Sequence, residues 1–264
     1  MPARPSPISA DHGPVWIIGA SSGLGYAVAQ QLLAEGREVI VSARHYDRLR
    51  NFMGQKGAHV MPMDISNRDT LRHALTFIER HHGTPAVVIV CAGQFQPEPD
   101  GLVNASTLQE LWEVNVLGVQ HVLDAVRPRM AWAGRGQVVV LGSLVGYIPT
   151  PTSAAYGATK AALMHLLAGQ HAAWWNQGLL LQLATPGFID TPMIAHGRYP
   201  ALFCLSARQA ARRLLKAMQS TRFELTFPRR AAVLARFSTW LPWAWRLRHL
   251  THWLEQRNAR TKSR

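Results

Sequence analysis

Short apolar runs alternate with amphipathic helical stretches along most of this chain, and that alternation constrains its fold more than any other feature. Val15-Trp16-Ile17-Ile18 reads as a strand ending in glycines, and residues Gly25 to Glu35 carry helical periodicity until Gly36 stops it. Glu38 to Ser42 and His59 to Met63 read as the second and third strands, with a helix over Asp69 to Arg80. Pro85 precedes the strongest strand, Ala86 to Cys91, and Thr107 with Glu110 has the spacing of a capping box at the start of a further helix. Gln137 to Leu141, Leu179 to Ala184 and Glu224 to Phe227 complete the strands. Between them lie a long helix, Ala154 to Trp175, and a shorter one running from a Ser206–Gln209 capping box to the region of Met218. Crossovers of this length are right-handed and build a parallel sheet. The expected fold is α/β: a single Rossmann-type domain with a doubly wound parallel sheet, followed by a basic amphipathic helical C-terminal extension.

With 264 residues, 48% of them hydrophobic, the chain can bury the core such a domain needs, which excludes disorder for most of its length. No apolar run reaches the ~18 residues of a membrane-spanning helix. Cys91 and Cys204 are the only cysteines, which excludes a disulfide scaffold. Residues 1–13 are expected to be a flexible tail, rich in Pro and Ser and without the apolar centre of a signal peptide, so a cytoplasmic location is expected. The domain spans 14–228 and the Trp-rich extension 229–264.

The formal charge of +13 invites a nucleic-acid reading, but its location argues otherwise. Residues 201–264 hold 12 Arg and 2 Lys against Glu224 and Glu255, a balance of +12, which leaves +1 for residues 1–200. The body of the domain is nearly neutral. In the extension, Val233, Leu234, Phe237, Trp240 and Leu241 fit one helical face, Pro242 interrupts it, and Trp243, Leu247, Leu250 and Leu254 recur beyond at helical spacing. Arg246, Arg248 and Arg257 occupy other faces. Such a helix can lie in a membrane interface or pack on another subunit. Nucleic acid ranks last, because there is no recognised binding motif and the apolar stripe would stay in water.

Gly19-Ala-Ser-Ser-Gly23-Leu-Gly25 falls between the first strand and the first helix, where glycines let the backbone approach a pyrophosphate at the helix N-terminus. Further features follow in order. Asp64 comes after the third strand, Cys91-Ala92-Gly93 after the fourth, and Asn115 opens Asn-Val-Leu-Gly. Ser143 ends the fifth strand, Tyr156-Gly-Ala-Thr-Lys160 stands thirteen residues on, and Pro186-Gly187 with Thr191 follows the sixth. In these motifs the chain resembles the short-chain dehydrogenase/reductase family over roughly residues 14–228.

The resemblance implies that Gly19, Ser21, Ser22, Gly23, Leu24 and Gly25 lie against the pyrophosphate and ribose of a nicotinamide dinucleotide. It implies Asp64 at the adenine edge, Ile189 and Thr191 at the nicotinamide carboxamide, and Ala92, Gly93, Pro186 and Gly187 in the same site. After the second strand comes Ser42-Ala43-Arg44-His45, with no acid before Asp47. Arg44, with Ser42 or Arg48 as helpers, suits a 2′-phosphate, so NADP(H) is preferred and NAD(H) remains the alternative. Two residues depart from the family pattern: Ile18 stands for Thr and Cys91 for Asn. Because strands one and four are neighbours, joint loss of two polar partners would leave neither stranded.

Tyr156 and Lys160 are four residues apart on a predicted helix and share a face. The family mechanism this implies passes hydride to a carbonyl carbon while Tyr156 gives a proton to its oxygen. Lys160 lowers the phenol's pKa and holds the ribose, Ser143 hydrogen-bonds the oxygen, and Asn115 anchors a water leading protons to Lys160. Leu144, Val145, Tyr147, Ile148, Met193, Ile194, Tyr199, Leu202 and Phe203 would wall the site, which favours an apolar carbonyl or alcohol. The family also implies a homodimer or homotetramer. Ser143 has no nucleophile elbow and the histidines lack zinc-ligand spacing, so no metal is expected. The alternative of a different class is a nucleotide-sensing or scaffold protein that keeps the fold without turnover.

Overall fold

The computed structural model describes residues 5–7, 13–98, 100–193 and 204–248. Most of the predicted tail lies outside the described residues, as do Ile194, Tyr199, Leu202, Phe203, Leu250, Leu254 and Arg257. The elements are β1 (Val15–Ile18), α1 (Gly23–Ala34), β2 (Val39–Ser42), β3 (Ala58–Val60), α2 (Arg68–His82) and β4 (Val87–Val90). Then come α3 (Ala105–Trp112), α4 (Gly118–Trp132), β5 (Gln137–Leu141), α5 (Ala154–Trp175) and β6 (Leu180–Pro186). The last are β7 (Ile189–Asp190), β8 (Leu205–Ser206), α6 (Ala207–Ala217), β9 (Glu224–Phe227) and α7 (Arg229–Thr239).

Seven strands form one sheet in the order β3-β2-β1-β4-β5-β6-β9, with every pairing parallel. This is the doubly wound arrangement expected from the alternation, extended by one edge strand. Successive side chains of a strand point to opposite faces, and here both faces are covered. Val15 and Ile17 join one apolar layer with Val28, Leu32 and Leu214, while Trp16 and Ile18 join the other with Leu123, Leu163 and Leu167. Burial on both sides explains why the strands read as unbroken apolar runs. Each fully buried Leu, Ile or Val contributes roughly 1.5–3 kcal/mol. Trp16 is buried whole because its indole N–H finds a partner, donating to Ser42 Oγ at 2.8 Å.

Helix starts follow local chemistry, with one correction. The Ser206–Gln209 box forms in both directions at the head of α6. The Thr107–Glu110 box does not form. Asn104 is the cap of α3, its Oδ1 accepting from Thr107 N at 2.8 Å, and Glu110 instead accepts from Gln96 Nε2 at 2.7 Å. Asn caps as well as Thr does, and starting one turn earlier leaves Thr107 inside the helix. Glu38 belongs to no strand; it meets His82 at 2.7 Å and His59 at 3.2 Å.

Between α3 and α4 the chain widens into a π-turn over Glu113–Leu117, an irregularity invisible to helical periodicity. At the C-terminal end, α7 and a helical turn at 243–248 lie against β9 and the loop after β5. Among the described residues no helix is long and apolar enough to cross a membrane.

Candidate active site

The strand order reverses between β1 and β4, and an open α/β sheet binds ligands beyond the carboxyl ends of its strands at such a point. The glycine turn lies there. Gly19 and Ala20 donate to Ser42 O at 2.7 and 3.0 Å, while Ile18 O accepts from Cys91 and Ala92 at 2.8 and 2.9 Å. Gly19 has a φ of +92°, and a Cβ on it would stand 2.4 Å from Ala92 N. A Cβ on Gly25 would stand 2.2 Å from Gly19 O. Larger residues would push α1 off the sheet, so both glycines set the close approach that a dinucleotide turn requires. The N-cap of α1, Ser22, makes no side-chain capping bond, so the first-turn amides keep an anion-binding character. These features fit a pyrophosphate at the head of α1.

Gly23 faces the segment after β6, because a Cβ there would come 3.0 Å from Thr191 Cγ2. The predicted cofactor residues at the two ends of this site are therefore neighbours. Ile189 is buried in β7, and Gly187 N donates to Phe227 O at 2.9 Å. Asp64 Oδ1 accepts from Ser66 N at 2.9 Å and Ser66 Oγ at 2.7 Å. Arg44 and Arg48 are exposed just past β2. Ser42 cannot assist them: its hydroxyl is buried and holds the Trp16 indole.

Ser143 follows β5 and caps the short helical turn Leu144–Gly146, its Oγ accepting from Val145 N at 3.3 Å. This turn sits directly on α5. A Cβ on Gly146 would lie 3.2 Å from Lys160 C, and one on Gly157 would lie 3.4 Å from Val145 O. Tyr156 is half-buried, and Lys160 Nζ lies 5.7 Å from its ring centre. Lys160 is almost wholly buried and donates to Leu141 O at 2.8 Å, which ties α5 to the end of β5. Burial lowers its ammonium from 10.5 to about 8. Asn115, buried in the π-turn, clamps the loop after β4. Its Oδ1 accepts from Gln94 N at 2.8 Å, and its Nδ2 donates to Gln94 O at 2.9 Å and Thr159 Oγ1 at 3.1 Å. Asn115 and Lys160 both border Gly93, whose added Cβ would meet Asn115 Oδ1 at 3.4 Å and Lys160 Nζ at 3.7 Å.

Residues 14–199 match the short chain dehydrogenase family. The chain belongs to the short chain dehydrogenase family. It is accordingly an NAD(P)H-dependent oxidoreductase. An uncharacterized oxidoreductase of Staphylococcus epidermidis is 31% identical over 179 residues, covering 67% of this chain and 78% of that one. The fold matches a short chain dehydrogenase from Burkholderia cenocepacia in complex with NADP, with a TM-score of 0.78 and 20% identity over 89% of this chain and all of that one. A gluconate 5-dehydrogenase from the same organism, in complex with NADP and tartrate, gives a TM-score of 0.66 at 25% identity, covering 73% and 78%.

The dehydrogenase's two departures from the family pattern are independent of each other. Ile18 points into the layer with Leu163, whereas Cys91 packs on the opposite layer with Gly25 at its side. Their strand ends do meet, but through backbone bonds alone, so no side-chain pair was exchanged.

Three further residues shape the site without a signal in the sequence. Glu98 is buried at the head of α5, where its carboxylate accepts from Ala155 N at 3.0 Å and from Ala154 N at 2.5 Å. A carboxylate there satisfies two otherwise unpaired amides and complements the helix dipole, fixing the helix that carries Tyr156 and Lys160. It is 56 residues away in sequence, so no local motif could reveal it. Phe95 meets the Tyr156 ring edge-on with centres 5.3 Å apart. Thr159 supports Asn115. Of the predicted walls, Leu144, Val145, Tyr147 and Ile148 are half-buried and Met193 is exposed. The described residues also contain one His/Glu group with metal-ligand types, Glu38, His59 and His82, at the amino ends of the strands and away from the glycine turn.

Proposed function

We propose that the chain is an NADP(H)-preferring enzyme that reduces a carbonyl, or oxidises the matching alcohol, on an apolar substrate. The observation that supports this best is the buried Lys160, fixed between the end of β5 and the Tyr156 ring. An ammonium so placed favours the phenolate of Tyr156, bringing its proton exchange toward neutral pH. Tyr156 gives its proton to the substrate oxygen, and Ser143 donates a hydrogen bond to that same oxygen as negative charge develops on it. Lys160 also holds the cofactor ribose. Asn115 keeps the Gln94 backbone in place and anchors a water that leads protons to Lys160. When bound, the nicotinamide supplies or accepts the hydride.

The glycine turn from Gly19 to Gly25, with Ser21, Ser22 and Leu24, holds the pyrophosphate and ribose. Asp64 meets the adenine, and Ala92, Gly93, Pro186, Gly187, Ile189 and Thr191 line the nicotinamide half. Arg44, exposed beside the turn, pairs with a 2′-phosphate. The half-buried apolar segment after Ser143 supports an apolar substrate. We place the enzyme in the cytoplasm as a homodimer or homotetramer, with residues 229–264 meeting a membrane surface.

A panel of carbonyls and alcohols with all four cofactor forms tests the reading. Turnover is expected with NADPH in preference to NADH, and Arg44→Asp should reduce that preference by about 10–100-fold. Tight NADPH binding with no turnover on any compound would instead identify a nucleotide sensor.

A further inference from the structure

The helices after β9 present an apolar surface outward. Val233, Leu234, Phe237 and Trp240 run along the outer side of α7, with Phe237 64% and Trp240 83% exposed, and Trp243 and Trp245 are exposed in the turn at 243–248. A soluble monomer seldom shows so much clustered apolar surface without a use for it. The side of α7 that faces the protein is small and polar instead. Ala232 and Ala235 are buried, and Arg236 pairs with Glu224.

That inner side is attached to the segment following Ser143. Glu224 Oε1 accepts from Tyr147 Oη at 2.8 Å and from Thr185 Oγ1 at 2.6 Å. Arg246 closes the clamp, donating to Tyr147 O at 3.1 Å while its guanidinium lies 4.2 Å from the Trp243 ring centre. The polar network therefore holds the helices against the Ser143–α5 connection and turns their apolar side away from it.

Charge selects the occupant. Residues 229–248 hold five arginines and no acid, and Arg229, Arg230 and Arg248 are exposed on these same helices. A second copy paired by two-fold symmetry would press this basic surface against itself. A nucleic acid would meet the arginines, and a single strand could stack on the tryptophans, but Val233 and Leu234 would stay in water. An anionic bilayer satisfies both groups at once: phosphates take the guanidinium forks, and tryptophans suit the boundary between headgroups and acyl chains.

We propose that residues 229–248 dock the enzyme on an anionic lipid surface, so that the site beside Tyr147 draws its carbonyl substrate from the bilayer. The docking stands on this surface alone, whereas the substrate class rests on the oxidoreductase reading above.

Flotation of the full chain tests it. The chain is expected to float with vesicles of phosphatidylcholine and phosphatidylglycerol, to stay behind with phosphatidylcholine alone, and to release as salt is raised. A double variant, Phe237→Glu with Trp240→Glu, should lose partitioning roughly tenfold or more. It should keep NADPH binding and turnover of a water-soluble carbonyl. Its KM for a long-chain carbonyl presented in anionic vesicles should rise by a similar factor. Absence of flotation, flotation undiminished in the double variant, or a dimer that the double variant dissociates would each overturn docking. An unchanged KM for the vesicle-borne carbonyl would overturn delivery from the bilayer. Absence of turnover on every carbonyl by the wild-type chain, with its flotation intact, would sink the oxidoreductase reading and leave docking standing.

Discussion

Two helices of this protein, α5 and α7, are both apolar along much of their length, yet they use that surface in opposite ways. α5 buries Leu163, Leu167 and Trp174 against the sheet and also buries Thr159 and Lys160. Several of its polar groups have partners: Lys160 reaches Leu141 O, Thr159 meets Asn115, and Glu98 caps its first turn, while the buried Trp174 indole N–H has none among the described residues. α7 buries only Ala232 and Ala235, while Phe237 and Trp240 face out. The difference shows that an apolar stripe reports a preference for leaving water without naming the destination. For α5 the destination is the core, where tight packing can hold reacting groups to a fixed geometry. For α7 we propose that it is a lipid surface.

The largest expected effect sits on α5. Tyr156→Phe should lower kcat by about 10²–10⁴-fold while NADPH binding, read by fluorescence titration, stays close to wild type. Retained turnover would remove Tyr156 from the chemistry. Paired truncations probe the packing contrast directly. Leu167→Ala should destabilise the fold by about 2–5 kcal/mol in urea unfolding, and Phe237→Ala should stay within about 0.5 kcal/mol. Equal losses would mean that α7 is packed as α5 is.

The buried ammonium gives a pH signature. Lys160 falls from 10.5 to about 8 on folding because burial penalises the charged form. Between those values the unfolded chain binds more protons than the folded one, so this group's contribution favours folding increasingly as pH rises through the window. The contribution is complete above the unfolded value and is lost as pH falls to the folded one. Thermal melts of the cofactor-free protein should show this rise, and Lys160→Met should flatten it. Glu98→Ala should cost about 1–2 kcal/mol as a lost helix cap and lower kcat more than the NADPH affinity, because it orders α5 without lining the glycine turn. If kcat were untouched, Glu98 would be a stabilising cap alone.

Much of the fold was legible because its signals are local. Fully buried strands need continuous apolar runs, so Ala86 to Cys91 and Gln137 to Leu141 could be located to within a residue or two. The parallel sheet followed from the length of the crossovers, and its order from the doubly wound fold that they imply. Elements that depend on distant partners were not legible. The Glu38 side chain meets two histidines and Ser42 turned inward to Trp16, whereas the Thr107 cap was a local misreading, since Asn104 three residues earlier takes that place. The clamp of Arg236, Glu224, Tyr147 and Arg246 joins residues up to 99 positions apart.

By itself, the sequence determined the doubly wound sheet, the glycine turn at the head of α1, the order of the family's motifs and the concentration of charge in the last quarter. These rest on period, turn chemistry and counting, each confined to a few neighbouring residues. Only the tertiary structure decided that Asn115 grips Gln94 from a π-turn, that Glu98 anchors α5, that Ile18 and Cys91 face opposite layers, and which side of α7 meets the protein. Those outcomes depend on which surfaces meet across the sheet, and side chains far apart in the chain compete for the same buried partners. No local pattern records the result of that competition.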